Sequence, residues 1–155
     1  MNIKQLIVFI TICGFSAKLH TSPVPHIVVH RPKLTGIPAY VQKAAQVSGL
    51  PPRLIKAVIH VESRGHEHIV SSAGAIGPMQ LEAATAKSLG VNPWNPKENV
   101  VGGALYLAKL VKRFGNVKDA LISYNEGETA LTQGKIYPAA DKYAVEVIRY
   151  ESTED

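Results

Sequence analysis

Short helical segments, opened by proline or closed by glycine, make up most of the chain after Pro38. Apolar residues recur there at the helical spacing of three and four, and no stretch alternates as a strand would. We expect six helices, over residues 39–47, 53–63, 80–89, 96–114, 117–124 and 138–150. Because the connections between them are short, the sequence predicts a compact all-α domain over 38–150, followed by an acidic tail over 151–155.

The leading residues lack this pattern and divide into two segments. Behind Lys4, residues 6–15 form an apolar run of about ten residues, and small residues precede a cleavage position after Ser16. This arrangement is typical of a signal peptide over 1–16, with an uncleaved membrane anchor as the alternative. Residues 17–37 contain three prolines and no helical period, which indicates a linker or extended arm. We therefore expect an exported protein of the periplasm or cell envelope, which meets the membrane only through the signal segment.

Positive charge is concentrated in the first part of the chain. The formal net charge is +5, and residues 1–61 contain seven Lys or Arg and no acidic residue. Such a segment suits an anionic partner (a membrane surface, a nucleic acid or a wall polymer), and solvated lysines are the alternative. Aromatic residues are only 6% of the chain and its C-terminal half is acidic. Nucleic-acid binding, which needs interleaved aromatics on a basic face, is therefore not expected.

The histidines and the cysteine do not indicate a metal site. One cysteine excludes a disulfide framework and any Cys-rich zinc module. His26 and His30 have no cysteine or carboxylate beside them, and residues 66–68 (HEH) lack the His-Glu-x-x-His order of zinc hydrolases. We expect neither a metal nor a cofactor.

One glutamate lies where its helix is otherwise apolar. A single face of the second predicted helix carries Ile55, Val58, Ile59 and Glu62. A carboxyl group at the edge of an apolar face is partly desolvated, and desolvation raises its pKa. A raised pKa suits a general acid near neutral pH, whereas a helix-end glutamate that simply reaches water is the alternative.

The segment after this helix is long and rich in small residues. Residues 71–80 (SSAGAIGPMQ) contain two glycines, which allow a backbone to approach a ligand closely. Met79 offers an apolar wall and Gln80 an amide, so together they would form a groove floor beside Glu62. A plain helix–helix connection is the alternative, but connections of this length usually carry function.

Four motifs in one order along the chain resemble a known family. They are Glu62-Ser63, residues 74–81 (GAIGPMQL), residues 92–99 leading into 103–107 (GALYL), and residues 123–127 (SYNEG). With a helix between each pair, the chain resembles the lytic transglycosylase catalytic domain of the soluble-transglycosylase type, a relative of goose-type lysozyme. The resemblance covers about 38–150 and implies a lysozyme-like α-domain with a saccharide groove.

The resemblance also implies the chemistry. Glu62 would be the catalytic acid and base that cleaves the β-1,4 bond between N-acetylmuramic acid and N-acetylglucosamine in peptidoglycan. It would protonate the leaving oxygen, then take the proton of the muramyl C6 hydroxyl as a 1,6-anhydro ring closes. Substrate contacts would come from Ser71, Met79, Gln80, Tyr124, Asn125 and Tyr143. Asn99 is expected to cap or brace the long helix.

Glu126 departs from the family, which usually has a small residue there. It is either a solvent-facing turn residue or a second carboxylate near the groove, which would permit hydrolysis. A goose-lysozyme-like muramidase, which Glu126 near the site would favour, is therefore one alternative to the transglycosylase. A non-catalytic peptidoglycan-binding assembly protein that keeps the groove is another, and the intact Glu62 argues against it. Besides glycan strands, the resemblance implies a secretion, pilus or conjugation apparatus as a partner.

Overall fold

A computed structural model describes residues 34–134 and 138–153. The described residues form seven helices: α1 (Gly36–Ser48), α2 (Pro52–Ser63), α3 (Ala83–Leu89), α4 (Pro96–Phe114), α5 (Val117–Glu126), α6 (Glu128–Thr132) and α7 (Pro138–Thr153). None of these helices has the length and apolar character that crossing a membrane requires. The predicted signal peptide and the arm up to residue 33 lie outside the described residues.

The predicted all-α architecture is confirmed, with corrections to four of the helices. The short helix α6 was missed because it buries no residue and so has no apolar period to detect. Helix α3 begins at Ala83 rather than at residue 80, because Leu81 forms an isolated bridge with Ile76. Helix α1 begins at Gly36, inside the predicted arm, and α7 continues to Thr153, so the predicted acidic tail begins within a helix.

Helix α4 shows how local sequence sets a helix boundary. The Asn95 side chain accepts hydrogen bonds from the backbone N–H groups of Lys97 and Glu98, and Pro96 occupies the first turn. At the other end Gly115 adopts a left-handed conformation (φ 75°), and its N–H donates to the Val111 carbonyl. These caps set the two ends of this 19-residue helix.

The core forms where α4 packs against α1 and α5, and where α7 packs against α5 and α2. The apolar face predicted for α2 is the face that the core buries: Ile55 and Val58 are fully buried and Ile59 is 3% exposed. Glu62 lies one turn beyond Ile59 on the same face, so this packing delivers its carboxyl group to the edge of the core.

Ser123 is a buried hydroxyl that the described residues leave without a hydrogen-bond partner. An unpaired buried hydroxyl costs about 1–3 kcal/mol, so Ser123→Ala is expected to raise the melting temperature by a few degrees. Thermal unfolding followed by circular dichroism measures the change. Ser88→Ala is the control, because its exposed hydroxyl donates to the Thr85 carbonyl and its loss should have little effect. A lower melting temperature for Ser123→Ala would contradict this account.

Candidate active site

The carboxyl group of Glu62 is held at the C-terminal end of α2. The hydroxyl of Tyr143, from α7, donates a hydrogen bond to Glu62 Oε1 at 2.6 Å. Burial raises the pKa of Glu62 from 4.5 to about 7, and the bond from Tyr143 partly opposes that rise. A substantial fraction of the carboxyl group is therefore protonated at neutral pH, as a general acid requires.

Ser63, the next residue, ties the end of α2 to the long connection that follows it. Its buried hydroxyl lies 3.0 Å from the Ile59 carbonyl and 2.9 Å from the Pro78 carbonyl. Arg64 then adopts a left-handed conformation (φ 54°) and ends the helix. Glu62 is thus fixed between a helix terminus and a loop that is bonded to it.

The loop over residues 69–81 is ordered by its own backbone bonds. The Ser71 N–H donates to the Ala75 carbonyl at 2.9 Å, and Ser71 Oγ accepts from the Ala75 N–H at 3.0 Å. Ile76 and Leu81 exchange two backbone bonds, of 3.0 and 2.9 Å. Gln80, in a left-handed conformation (φ 48°), donates its Nε2 to the Gly77 carbonyl at 2.8 Å. This set of bonds gives Ser71 and Gln80 defined positions.

Asn99 of α4 connects this loop to the helix bundle. Its fully buried side chain accepts from the Met79 N–H at 2.9 Å and donates to the carbonyls of Ile76 (2.7 Å) and Pro93 (3.1 Å). A Cβ on Gly77 would lie 2.7 Å from Asn99 Nδ2, so only glycine fits there. Asn99, which was expected to cap or brace the long helix, instead holds the loop against it. Asn95 is the residue that caps α4.

Met79 lies beneath the groove instead of lining it. Its side chain is fully buried, so the predicted groove contact is wrong. A Cβ on Gly103 would approach Met79 Sδ to 2.8 Å and the Tyr124 hydroxyl to 3.0 Å, which shows how tightly this layer packs. The Met79 carbonyl accepts a 2.8 Å hydrogen bond from the Tyr124 hydroxyl. Met79 thus supports Tyr124 from below. The sequence pattern does not reveal whether the Met79 side chain faces the groove or the core.

A cavity of about 370 Å³ opens above this floor. Among the predicted residues, its lining contains Glu62, Ser71, Gln80, Tyr124 and Asn125. Tyr143 reaches the site through its bond to Glu62 and is itself buried. The structure therefore brings together six of the seven predicted side chains, from α2, α5, α7 and the loop over 69–81.

Sequence reasoning missed several residues of the cavity wall, Glu82, Thr85 and Tyr106 among them. The Tyr106 ring lies 5.5 Å from the Tyr124 ring, at an interplanar angle of 43°. Burial raises the pKa of both phenols, and the charge of Glu62 adds to the rise for Tyr124, so both stay protonated. The spacing of Gly103 and Tyr106, three residues apart on α4, could have revealed this second aromatic wall residue.

The described residues contain no group of three histidine, cysteine or acidic side chains arranged to hold a metal ion. Within residues 66–68, the Nδ1 atom of His66 lies 2.7 Å from the Ser63 carbonyl, at the end of α2. The other pair considered above, His26 and His30, lies outside the described residues. The polar groups of the candidate active site are therefore carboxyl, hydroxyl and amide groups.

Tyr143→Phe is expected to shift the pH dependence of the reaction that Glu62 carries. The lost hydrogen bond favours the ionised carboxylate, so its removal should raise the Glu62 pKa above about 7. The alkaline limb of the pH–rate profile should then move to higher pH, and the rate at the optimum should fall. Initial rates of the reaction across the pH range measure both. Tyr40→Phe, on helix α1 and outside the cavity lining, is the control. An alkaline limb that stays in place would contradict the role assigned to Tyr143.

Several known proteins are similar to this chain. It is 44% identical to a transglycosylase of Enterobacteria phage PRD1, over 57% of this chain and 35% of that one. It is 36% identical to membrane-bound lytic murein transglycosylase F of Desulfosudis oleivorans, over 63% and 24%, so it spans about a third or less of these two relatives. An endo-type membrane-bound lytic murein transglycosylase A of Klebsiella pneumoniae is 32% identical, over 84% of this chain and 75% of its own.

Similar solved structures and a matching protein family also carry the name transglycosylase. The 70 kDa soluble lytic transglycosylase of Escherichia coli superposes with a TM-score of 0.68 at 20% identity, over 75% of this chain and 23% of that one. An inactive mutant of lytic transglycosylase Slt from Pseudomonas aeruginosa gives 0.65 at 23% identity, over 74% and 23%. These two likenesses establish the lysozyme-like all-α fold. The description "Transglycosylase SLT domain" matches residues 39–146, and the chain belongs to this family.

Proposed function

We propose that this protein is a peptidoglycan lytic transglycosylase. It cleaves the β-1,4 bond between N-acetylmuramic acid and N-acetylglucosamine and leaves a 1,6-anhydromuramic acid end. The observation that carries the proposal is Glu62, a carboxyl group whose pKa is raised to about 7 at the wall of a groove. Relatives named as murein or peptidoglycan transglycosylases support the choice of substrate.

In the first step Glu62 acts as the acid. The protonated carboxyl group gives its proton to the glycosidic oxygen, and the bond from that oxygen to the muramyl C1 breaks. Positive charge develops at C1, next to the 2-acetamido group of the same sugar. Ser71 suits this group, because its oxygen already accepts the Ala75 N–H and its proton remains available for the acetamido carbonyl.

In the second step Glu62 acts as the base. Now a carboxylate, it takes the proton of the muramyl C6 hydroxyl, and the C6 oxygen bonds to C1 and closes the anhydro ring. The donated bond from Tyr143 stabilises the carboxylate between the two steps. The proton returns to Glu62, so one carboxyl group completes the cycle and no water is consumed.

The remaining polar groups of the groove orient the sugars. Gln80 Nε2 is bonded to the Gly77 carbonyl, which leaves Oε1 to accept from a sugar hydroxyl. Asn125 is exposed and also lines the groove, so its amide can bond to a sugar. The Tyr124 hydroxyl already donates its proton to the Met79 carbonyl, so Tyr124 offers the sugar only the face of its ring, held in a fixed position.

Mass spectrometry of muropeptides released from purified sacculi tests the proposal. The wild-type protein should release anhydro-muropeptides, each one water lighter than a hydrolysed product. Heat-inactivated protein is the blank. Hydrated products alone would replace the transglycosylase by a muramidase, and sacculi that bind the protein without release of any product would support a non-catalytic binding role.

We also propose that the protein is exported and opens the wall locally for a secretion, pilus or conjugation apparatus. The apolar run in residues 1–16 and relatives named as membrane-bound support export. Alkaline phosphatase fused after residue 37 should be active in the host if the leading segment directs export, and inactive if it does not. Deletion of the gene should reduce assembly of such a machine, and unchanged assembly of every one in the host would overturn this role.

A further inference from the structure

Glu126 is a second carboxylate at the groove, and the transglycosylase steps do not use it. Glu126 lines the same cavity as Glu62. We propose that Glu126 activates a water molecule there and gives the protein a second activity, hydrolysis of the same glycosidic bond. This inference rests on the function proposed above, because Glu62 supplies the acid in both reactions.

The backbone around Glu126 is held by hydrogen bonds. Glu126 is the last residue of α5, and the Gly127 N–H closes that helix on the Ser123 carbonyl at 2.9 Å. Two residues before it, Tyr124 is anchored to the Met79 carbonyl, and the pKa of Tyr124 is raised in part by the charge of Glu62. Helix α5 therefore places Tyr124 near Glu62 and ends at Glu126, which lines the same cavity.

The carboxylate of Glu126 is available for a water molecule. Its side chain is exposed, and within residues 34–134 and 138–153 it takes part in no hydrogen bond or ion pair. The nearby Glu128 differs, because Lys109 and Arg113 of α4 both pair with it. Glu126 has no such cationic partner within the described residues, so its oxygens can accept a hydrogen bond from water.

An inverting glycosidase uses two carboxyl groups, one as the acid that protonates the leaving oxygen and one as the base that activates a water molecule; Glu62 and Glu126 line one cavity. Glu62 gives its proton to the glycosidic oxygen, and the bond from that oxygen to C1 breaks. A water oxygen bonds to C1 from the opposite face, and Glu126 takes the proton that the water loses. The products are a reducing muramyl end and a new glucosaminyl 4-hydroxyl, with one water consumed. Exchange with solvent returns Glu62 to its acid form and Glu126 to its carboxylate form.

Glu82 provides a matched control in the same cavity. It is exposed, like Glu126, and lines the groove. Its charge acts on Tyr106, whose pKa it helps to raise, and it lies at the start of α3 instead of at the end of α5. Glu82→Gln and Glu126→Gln each remove one negative charge from the groove. Only Glu126→Gln also removes the proposed base.

The test is the ratio of hydrated to anhydro products released from sacculi by the full-length protein, measured by mass spectrometry. Sacculi treated with Glu62→Gln correct for ends already present. The wild type should release both products, Glu126→Gln should lower the ratio by about 100-fold, and Glu82→Gln should keep the wild-type ratio. Anhydro products alone from the wild type, or an unchanged ratio in Glu126→Gln, would overturn this inference and leave the transglycosylase intact. Absence of every product would overturn both.

Discussion

Replacing Glu62 with glutamine is expected to lower the rate of glycan cleavage by about 10²–10⁴-fold, the range typical of a lost general acid or base. Glutamine keeps the shape of the side chain and still accepts the Tyr143 hydrogen bond, but it has no proton to give to the glycosidic oxygen. Because one group serves both steps, no other residue of the mechanism replaces it. Release of anhydro-muropeptides per unit time measures the loss.

The control for this substitution is Glu67→Gln. Glu67 lies five positions away in sequence and outside the groove lining, so its variant should cleave at the wild-type rate. Equal rates for wild type and Glu62→Gln would remove Glu62 from the mechanism. Equal losses in both variants would indicate that a general change of charge or structure caused the effect.

The stability of Glu62→Gln shows that the variant is folded and reports the pKa independently. The pKa of Glu62 is about 7 in the folded protein and 4.5 in its ordinary, solvated state, so the folded state favours the protonated form. The resulting stabilisation is complete below about pH 4.5 and is lost as pH rises to about 7. Glutamine does not ionise, so the variant should become more stable than the wild type over that interval, by up to about 3 kcal/mol. A difference that stays constant with pH would contradict the shifted pKa.

Asn99→Ala is expected to destabilise the protein by about 3–5 kcal/mol. The substitution leaves the Met79 N–H and the carbonyls of Ile76 and Pro93 without their partner. Each buried polar group that loses its hydrogen bond costs about 1–3 kcal/mol, and partial relaxation of the loop recovers some of it. Urea unfolding at constant pH measures the loss as a lower midpoint.

Asn95→Ala is the matched control for this prediction. It removes the same side chain four residues earlier on α4, where the amide caps an exposed helix end, and about 1 kcal/mol is expected. Similar midpoints for the two variants would show that Asn99 does not connect the loop to the core. A folded Asn99→Ala protein should also cleave more slowly, because the Met79 carbonyl that anchors Tyr124 is no longer held.

Helix periodicity revealed part of the site because it records which face of a helix is buried. The spacing of Ile55, Val58 and Ile59 identified the face on which Glu62 lies, and the structure buries that face. The glycines and small residues of 71–80 likewise indicated an ordered loop next to it, and Ser71 and Gln80 line the cavity. These features depend on neighbours in sequence, which a local pattern can record.

The errors concern contacts between distant segments. Met79 was assigned to the groove surface, yet its side chain packs below, against Gly103. Tyr106 lies within the motif over 103–107, but the motif does not predict that its side chain forms a wall of the cavity. Both outcomes depend on how closely α4 approaches the loop over 69–81, and that approach is set by the absence of a side chain at Gly103.

The sequence by itself therefore determined the class of fold, the helix that carries Glu62 and the order of the elements around it, because local spacing and the family motifs encode these. Only the tertiary structure decided the environment of Glu62. Tyr143 lies 81 positions further along the chain, and its hydroxyl reaches the carboxyl group because α2 packs against α7. Burial in that contact, which no local spacing specifies, is the physical cause of the pKa of about 7 on which the proposed chemistry depends.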